Sequence, residues 1–304
     1  MIVVAIPNTN RGRDMTPTKV DRDLSGRPNP TLAANSGGMA NFLTFIEREL
    51  IPRVEQSYRT APYRVFVGHS LGGITTINAL YTMPKTFNAY VAIDPSLWWD
   101  NRLLLRQARD RFGKPGLEGR TLYVAQANTI QPGDTTLNVH FNSIVQFNSI
   151  LESFNGSGVR YAYKYYPADS HGSVPMIAEY DALRFIFESY NLPLLVAAER
   201  ASYLTEHYAR ASSILGYKID PPEPIVDMVA RFAMGRDTTV AQRLLELNAS
   251  LYPTSGNVHV ALGNFWLAKK DSAQALGHFE RAVALRPDWV RAKEMVAKLN
   301  GAKQ

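Results

Sequence analysis

The feature that most constrains the fold of this chain is a serine enclosed by glycines between an apolar run and a helical pattern. Residues 65–73 read VFVGHSLGG, and residues 74–83 continue with apolar side chains at helical spacing. Gly-x-Ser-x-Gly at a strand-to-helix turn allows the strained backbone of a nucleophile, because glycine has no Cβ to clash with the returning helix. The pattern predicts that Ser70 is a nucleophile and that the Leu71 N–H stabilises an oxyanion. The alternative is a glycine-rich turn in which Ser70 only caps the helix.

Strand-like and helix-like segments alternate through the first 190 residues. The predicted strands are residues 2–6, 64–67, 89–93, 121–126 and 160–166, and the predicted helices are residues 38–58, 74–83, 139–155 and 174–189. Such alternation predicts an α/β fold with a mostly parallel sheet, which binds ligands at the carboxyl ends of its strands. Because residues 2–6 open the chain directly on an apolar run, we expect that sheet to lack strands that precede Met1, so that the domain is N-terminally truncated.

Strand patterns stop after Pro193, and only helical periodicity follows. Residues 198–216 form a predicted amphipathic helix, which the breaker DPPEP at 220–224 separates from the rest of the chain. Further on, a set of residues matches the 34-residue spacing of tetratricopeptide repeats; these are Leu262, Gly263, Trp266, Ala275, Phe279, Ala282 and Pro287, preceded by Phe232, Ala241, Leu245 and Pro253. The sequence predicts an α/β domain over 1–195, a helical linker over 196–222 and an all-α repeat domain over 223–304.

A serine hydroxyl needs a base to take its proton, and the chain has six histidines. His171 lies in YYPADSHGSVP, directly after the last predicted strand and before a helix, so it follows Ser70 in the chain and falls at the same end of the predicted sheet. We therefore predict His171 as the base, the alternative being a histidine in a polar surface loop. The other five are His69 inside the turn, His140 at the start of a predicted helix, and His207, His259 and His278 in the helical tail.

The acid that orients the base is the least determined member of the set. It is expected after strand 121–126, where Asn128 stands in place of a carboxylate and Asp134 is the nearest candidate. Asp94, which follows strand 89–93 in AIDPSLWWD, is a rival, whereas Asp169 is too close to His171 in sequence to orient it. Asp134 as an exposed loop carboxylate is equally consistent with the pattern.

Composition restricts the function classes further. The net charge is +6 and the pI about 9.4, but the lysines and arginines are scattered singly, so nucleic-acid binding is not indicated. The chain has no cysteine, which excludes thiol catalysis and thiolate metal sites. No apolar run approaches the roughly 18 residues of a membrane-spanning helix, and no signal-peptide pattern is present, so the sequence assigns no compartment.

Four segments in order, VFVGHSLGG, AIDPSLWW, KYYPADSHGSVP and EYDALRFIF, resemble the esterase D-like esterases of the α/β-hydrolase superfamily. Siderophore esterases of the enterobactin type are among the relatives, and a subgroup carries a repeat tail. The resemblance implies Ser70 as nucleophile, His171 as base and the Leu71 N–H as oxyanion donor. It also implies a second donor on a Leu-Asp-Gly strand end that precedes Met1. Relatives usually have serine where this chain has Asp94, and some are Ser–His dyads without a clear acid.

Two functions follow as hypotheses. In the first, the protein cleaves a small-molecule carboxylic ester, and Trp98 and Trp99 line the acyl or alcohol pocket unless they only pack in the core. No metal or organic cofactor is implied. In the second, an inactive hydrolase-like scaffold supports a repeat tail that binds a protein partner.

Overall fold

The computed structural model describes residues 1–23, 26–133, 138–154 and 158–301. The chain divides into two compact units, Met1–Glu188 and Ser189–Gln304. The first is a mixed α/β unit and the second is helical wherever it has regular structure.

Four parallel strands form the sheet of the first unit, and they are hydrogen-bonded in their order along the chain. They are β1 (Val65–His69), β2 (Ala89–Ile93), β3 (Thr121–Ala127) and β4 (Arg160–Tyr166). Each was predicted to within two residues, and the two central strands, β2 and β3, are buried at every position, as expected where both faces of a sheet are covered. All four carboxyl ends therefore lie along one edge of the sheet.

The predicted strand over residues 2–6 is wrong. These residues have no regular secondary structure, and Val3 is 83% exposed. A strand requires a neighbour for its backbone hydrogen bonds, and no described strand pairs with this segment. Its apolar pattern alone could not reveal that, since pairing is a long-range property.

Alternate residues of the strands build two apolar layers, one on each face of the sheet. Tyr90 and Ala92 of β2 belong to the larger core, whereas Val91 and Ile93 belong to a smaller one. This alternation follows from the two-residue period of a strand. Helices that cover both faces confirm the expected layering of an α/β fold.

Eight α-helices in the described residues of the first unit precede, connect or follow the strands along the chain. They are α1 (Arg11–Asp14), α2 (Pro30–Ala34), α3 (Met39–Phe45), α4 (Ile51–Ser57), α5 (Leu71–Thr82), α6 (Trp99–Phe112), α7 (Val139–Glu152) and α8 (Val174–Ile186). The helix predicted over 38–58 contains a π-helical turn, Ile46–Leu50, directly before Pro52. Proline has no backbone N–H, so the regular hydrogen-bond pattern cannot continue through this point.

A short 3₁₀ turn (Glu188–Tyr190) is followed by the helices of the second unit. They are α9 (Leu194–Glu199), α10 (Ala201–Leu215), α11 (Glu223–Met234), α12 (Thr238–Leu251), α13 (Gly256–Ala268), α14 (Ser272–Leu285) and α15 (Val290–Gly301). Gly263 packs so closely on the Phe279 ring that a Cβ would lie 2.8 Å from it. Phe232, by contrast, is 49% exposed. The tetratricopeptide assignment and the three-part division at 195 and 222 stay predictions.

None of the helices in the described ranges combines the length and the apolar character needed to cross a bilayer.

Candidate functional site

Ser70 occupies the turn between β1 and α5 with a left-handed backbone, φ 62° and ψ −116°. This conformation is strained for a residue with a side chain, and it occurs where the surrounding structure enforces it. A Cβ on Gly68 would overlap the carbonyl oxygen of Gly72, and one on Gly73 would lie 2.9 Å from Pro95 Cα. The flanking glycines therefore allow helix and strand to approach closely enough to form the turn.

Main-chain hydrogen bonds join this turn to the loop after β2. The Ser70 N–H donates to Ile93 O at 3.0 Å, and the Ser96 N–H donates to Ser70 O at 3.1 Å. The Ser70 and Ser96 hydroxyl oxygens are 3.2 Å apart and share a hydrogen bond. The nucleophile candidate and residues 94–96 thus form one hydrogen-bonded substructure.

Asp94, at the carboxyl end of β2, is completely buried and accepts three hydrogen bonds. Its Oδ1 accepts from the Ala127 N–H at 2.9 Å, while its Oδ2 lies 2.5 Å from His171 Nδ1 and 2.9 Å from His140 Nε2. Burial alone would raise the pKa of Asp94, but the hydrogen bonds from His140 and His171 outweigh it and hold that pKa well below its usual value. The carboxylate is therefore ionised inside the protein.

His171 reaches Asp94 from the loop that follows β4. Asn128, just beyond β3, secures this loop: its N–H donates to Asp169 O at 2.8 Å and its Nδ2 donates to Pro167 O at 3.1 Å. The Asp94 carboxylate can accept a hydrogen bond from His171 Nδ1 only if that nitrogen carries a proton. In a neutral imidazole the lone pair is then on Nε2. The His171 side chain is 41% exposed, so it is accessible from solvent while its Nδ1 is held by Asp94.

His69 lies next to this arrangement, its ring centroid 4.4 Å from that of His171. Burial, together with the nearby His171, lowers the pKa of His69. Arg11 donates through Nη2 to the His69 carbonyl at 3.2 Å, which ties the start of the chain to the end of β1. The lowered pKa favours a neutral His69 ring, which packs against His171.

The predicted site residues are placed as follows. Ser70 and His171 lie at the same edge of the sheet, after β1 and β4, and Leu71 is the first residue of α5, where the helix dipole favours negative charge. Asp134 lies outside the described residues. Trp99 is buried in the larger core and donates to Thr18 Oγ1 at 3.3 Å, while Trp98 is only partly buried against the same core.

Sequence reasoning did not find His140, and it ranked Asp94 second. Asp94 carries a local signal, since a carboxylate at the end of the fully apolar strand AYVAI must have a polar partner. His140 carries none, because it is one polar residue near the start of α7, and its role depends on where α7 lies relative to β2.

Asp94, His140 and His171 bring potential metal-ligand atoms within 4.8 Å of one another. Two histidines and one carboxylate are a ligand set found in metal sites. The same atoms would equally suit a carboxylate that orients a histidine, and His140 and His171 each hydrogen-bond Asp94. Catalysis without a metal stays a prediction from the sequence.

A mixed α/β fold with a parallel sheet and a serine at a tight strand-to-helix turn defines the class as hydrolase-like. Within that class, residues 1–170 match the family described as "Putative esterase". The chain therefore belongs to this esterase family.

Individual relatives agree with the family match. A solved IroE-like serine hydrolase from Shewanella oneidensis is 31% identical, covers 80% of this chain and 77% of its own, and superposes with a TM-score of 0.71. The ferri-bacillibactin esterase BesA of Bacillus subtilis is 28% identical over 58% of this chain. The siderophore enterobactin esterase of Emericella nidulans is 41% identical over 28% of this chain.

The chain spans 61% of the length of BesA and 28% of the length of the Emericella esterase in these matches. The Shewanella hydrolase covers a larger part of this chain than the first unit alone contains, so some of the helical unit falls within that match.

Proposed function

We propose that this protein is a serine hydrolase of carboxylic esters, with Ser70 as nucleophile, His171 as base and Asp94 as the acid that orients the base. The observation that carries the proposal is the 2.5 Å contact between His171 Nδ1 and the buried Asp94, at the sheet edge where Ser70 sits on its strained turn. Esterase relatives support the reaction class.

In the first half-reaction, Ser70 Oγ attacks the ester carbonyl carbon as its proton passes to His171 Nε2. The resulting imidazolium is stabilised by Asp94, and the Leu71 N–H at the start of α5 faces the developing oxyanion. When the tetrahedral intermediate collapses, the C–O bond to the alcohol breaks and His171 gives its proton to the leaving oxygen.

In the second half-reaction, His171 takes a proton from water as the water oxygen attacks the acyl-enzyme carbonyl. The acid is then released and Ser70 recovers its proton. In the described residues, the Ser70 hydroxyl is hydrogen-bonded to Ser96 and not to His171. The productive Ser70–His171 bond would therefore form when substrate binds, as happens in many hydrolases whose apo geometry is loose.

Siderophore esters are the substrate class we propose, because two of the curated relatives described above are named for the siderophores on which they act. An enterobactin-type cyclic triester and a simple activated acyl ester provide a direct comparison. If siderophores are the substrates, kcat/KM for the triester exceeds that for the simple ester.

The decisive experiment measures hydrolysis of a short chromogenic ester by wild type, Ser70→Ala and Ser57→Ala. Ser57 is an exposed serine of α4 and serves as the matched control. We expect Ser70→Ala to lose at least about 10³-fold in kcat, whereas Ser57→Ala keeps the wild-type rate. A fluorophosphonate should label wild type once, on the peptide that contains Ser70. Ser70→Ala with the full wild-type rate would exclude this mechanism.

A wild-type chain that neither hydrolyses esters nor reacts with the fluorophosphonate would favour the scaffold hypothesis. The helical unit would then be examined for a protein partner.

A further inference from the structure

Asp94 Oδ2 is shared by two histidines that come from different parts of the fold. His171 belongs to the loop after β4, whereas His140 is the second residue of α7. The His140 side chain is 17% exposed, and its Nε2 lies 2.9 Å from Asp94 Oδ2. Its ring also packs edge-on against the His171 ring, with centroids 5.3 Å apart and an interplanar angle of 88°. His140 therefore contacts both the acid and the base of the proposed triad.

The beginning of α7 is held in place independently of the site. Gln126 of β3 is completely buried and donates through Nε2 to Phe141 O at 3.0 Å. That bond fixes the backbone next to His140 against the strand that also supplies the Ala127 N–H to Asp94. The imidazole is thus presented from a rigid helix, which limits its freedom before any substrate binds.

The Asp94 carboxylate needs more than one donor to be held in one orientation. The Ala127 N–H restrains Oδ1, but His171 is the group to be oriented and its loop is partly exposed. A second donor at Oδ2 on a fixed helix removes the remaining rotation of the carboxylate. A buried carboxylate that lost this donor would also be left incompletely solvated.

We propose that His140 is a positioning residue for the reaction: its Nε2–H, donated to Asp94 Oδ2, fixes the carboxylate so that His171 keeps its proton on Nδ1 and its lone pair on Nε2. This inference rests on the proposed function of Ser70, His171 and Asp94. His140 itself does not touch the reacting atoms.

The first test compares His140→Gln with His140→Met. Both side chains have similar length, but only glutamine carries an N–H donor at the position of the imidazole Nε2. We expect His140→Gln to keep kcat within about threefold of wild type, and His140→Met to lose at least about tenfold, since a hydrogen bond to a charged group is lost. KM should change less than about twofold in both variants, because His140 does not bind substrate. His207→Met, in the helical unit, is the control for a histidine-to-methionine change.

Equal kcat values for the glutamine and methionine variants would overturn the proposal, and so would an effect confined to KM. Thermal unfolding of each variant shows whether it is folded. If the methionine variant does not fold, the histidine tautomers of the wild-type protein provide the test.

¹⁵N NMR of the histidine side chains reads the tautomers directly. In wild type we expect a protonated Nε2 on His140 and a protonated Nδ1 on His171, and in His140→Met we expect His171 to populate a mixture of tautomers. A His140 with its proton only on Nδ1, or a His171 tautomer that is unchanged in the methionine variant, would overturn the inference. This readout needs no turnover, so a chain that lacks esterase activity would refute the proposed function while the tautomers still decide the role of His140.

Discussion

Asp94→Asn tests the site most sharply, because the substitution keeps the shape of the side chain and changes only its hydrogen bonding. Asparagine has one acceptor oxygen, which can still accept the Ala127 N–H, but its NH₂ group would then face the two imidazole nitrogens now bonded to Oδ2. His171 could avoid two opposed donors only by moving its proton to Nε2. That tautomer has no lone pair to accept the Ser70 proton.

The expected loss in kcat is about 10⁴-fold, the factor that the same substitution causes in the serine-protease triad by the same change of tautomer. It corresponds to about 5 kcal/mol of transition-state stabilisation. The assay is steady-state hydrolysis of a chromogenic ester, with the fold of the variant verified by circular dichroism.

Asp134→Asn is the informative comparison, because the sequence favoured Asp134 as the acid. We expect this second variant to lose less than about tenfold in kcat, since Asp94 already accepts a hydrogen bond from His171. A large loss for Asp134→Asn with little loss for Asp94→Asn would refute the assignment of the acid. Small losses for both would indicate a Ser–His dyad.

Three further predictions concern stability and organisation. Gly68→Ala should lower the free energy of unfolding by about 3 kcal/mol or more, since the new Cβ would overlap the Gly72 carbonyl. The control, Gly277→Ala at an open helical position, should raise the free energy of unfolding by about 0.5–1 kcal/mol. Equal effects of the two substitutions in urea unfolding would contradict this. Because the pKa of Asp94 is lowered in the folded protein, its ionisation stabilises the fold above about pH 4, and this contribution is lost as the pH falls further. The difference in the free energy of unfolding between wild type and Asp94→Asn should therefore shrink in acid. A difference that stays constant with pH would contradict this. Limited proteolysis should cut within residues 217–224 and release a helical fragment, and cuts scattered through 257–289 would argue against a separate unit.

The sequence was sufficient for the elements whose signal is local. β2 is apolar at every position and β3 at all but Thr121 and Gln126, because both faces of the sheet are covered there, and the run itself therefore marks the strand. The turn at Ser70 was equally readable, since it needs glycine where a Cβ would clash, as at Gly68 and Gly73. Residues 2–6 have the same apolar pattern and form no strand, which shows that an apolar run becomes a strand only where another strand pairs with it.

The carboxylate that contacts His171 could not be chosen from the sequence, because the choice depends on which strand ends are adjacent. β2 lies between β1 and β3, so Asp94 is close to the Ser70 turn, and the loop after β4 must bend back over β3 to bring His171 to it. His140 depends on one further condition, the position of α7 beside β3. These are consequences of sheet order and loop path, which no short motif records.

The hydrogen bonds that join the Ser70 turn to the loop after β2 have a consequence for how the enzyme could change during evolution and turnover. Ser70, Ile93 and Ser96 share backbone bonds, and the Asp94 N–H donates to Ala125 O of β3 at 2.8 Å, so Ser70 and Asp94 cannot shift relative to each other without breaking the sheet edge. His171 arrives on a partly exposed loop that has no hydrogen bond to Ser70 among those described and is held to the end of β3 by Asn128. We therefore expect substrate-dependent differences in rate to arise from the 167–173 loop, and substitutions there to change activity with little effect on the stability of the sheet.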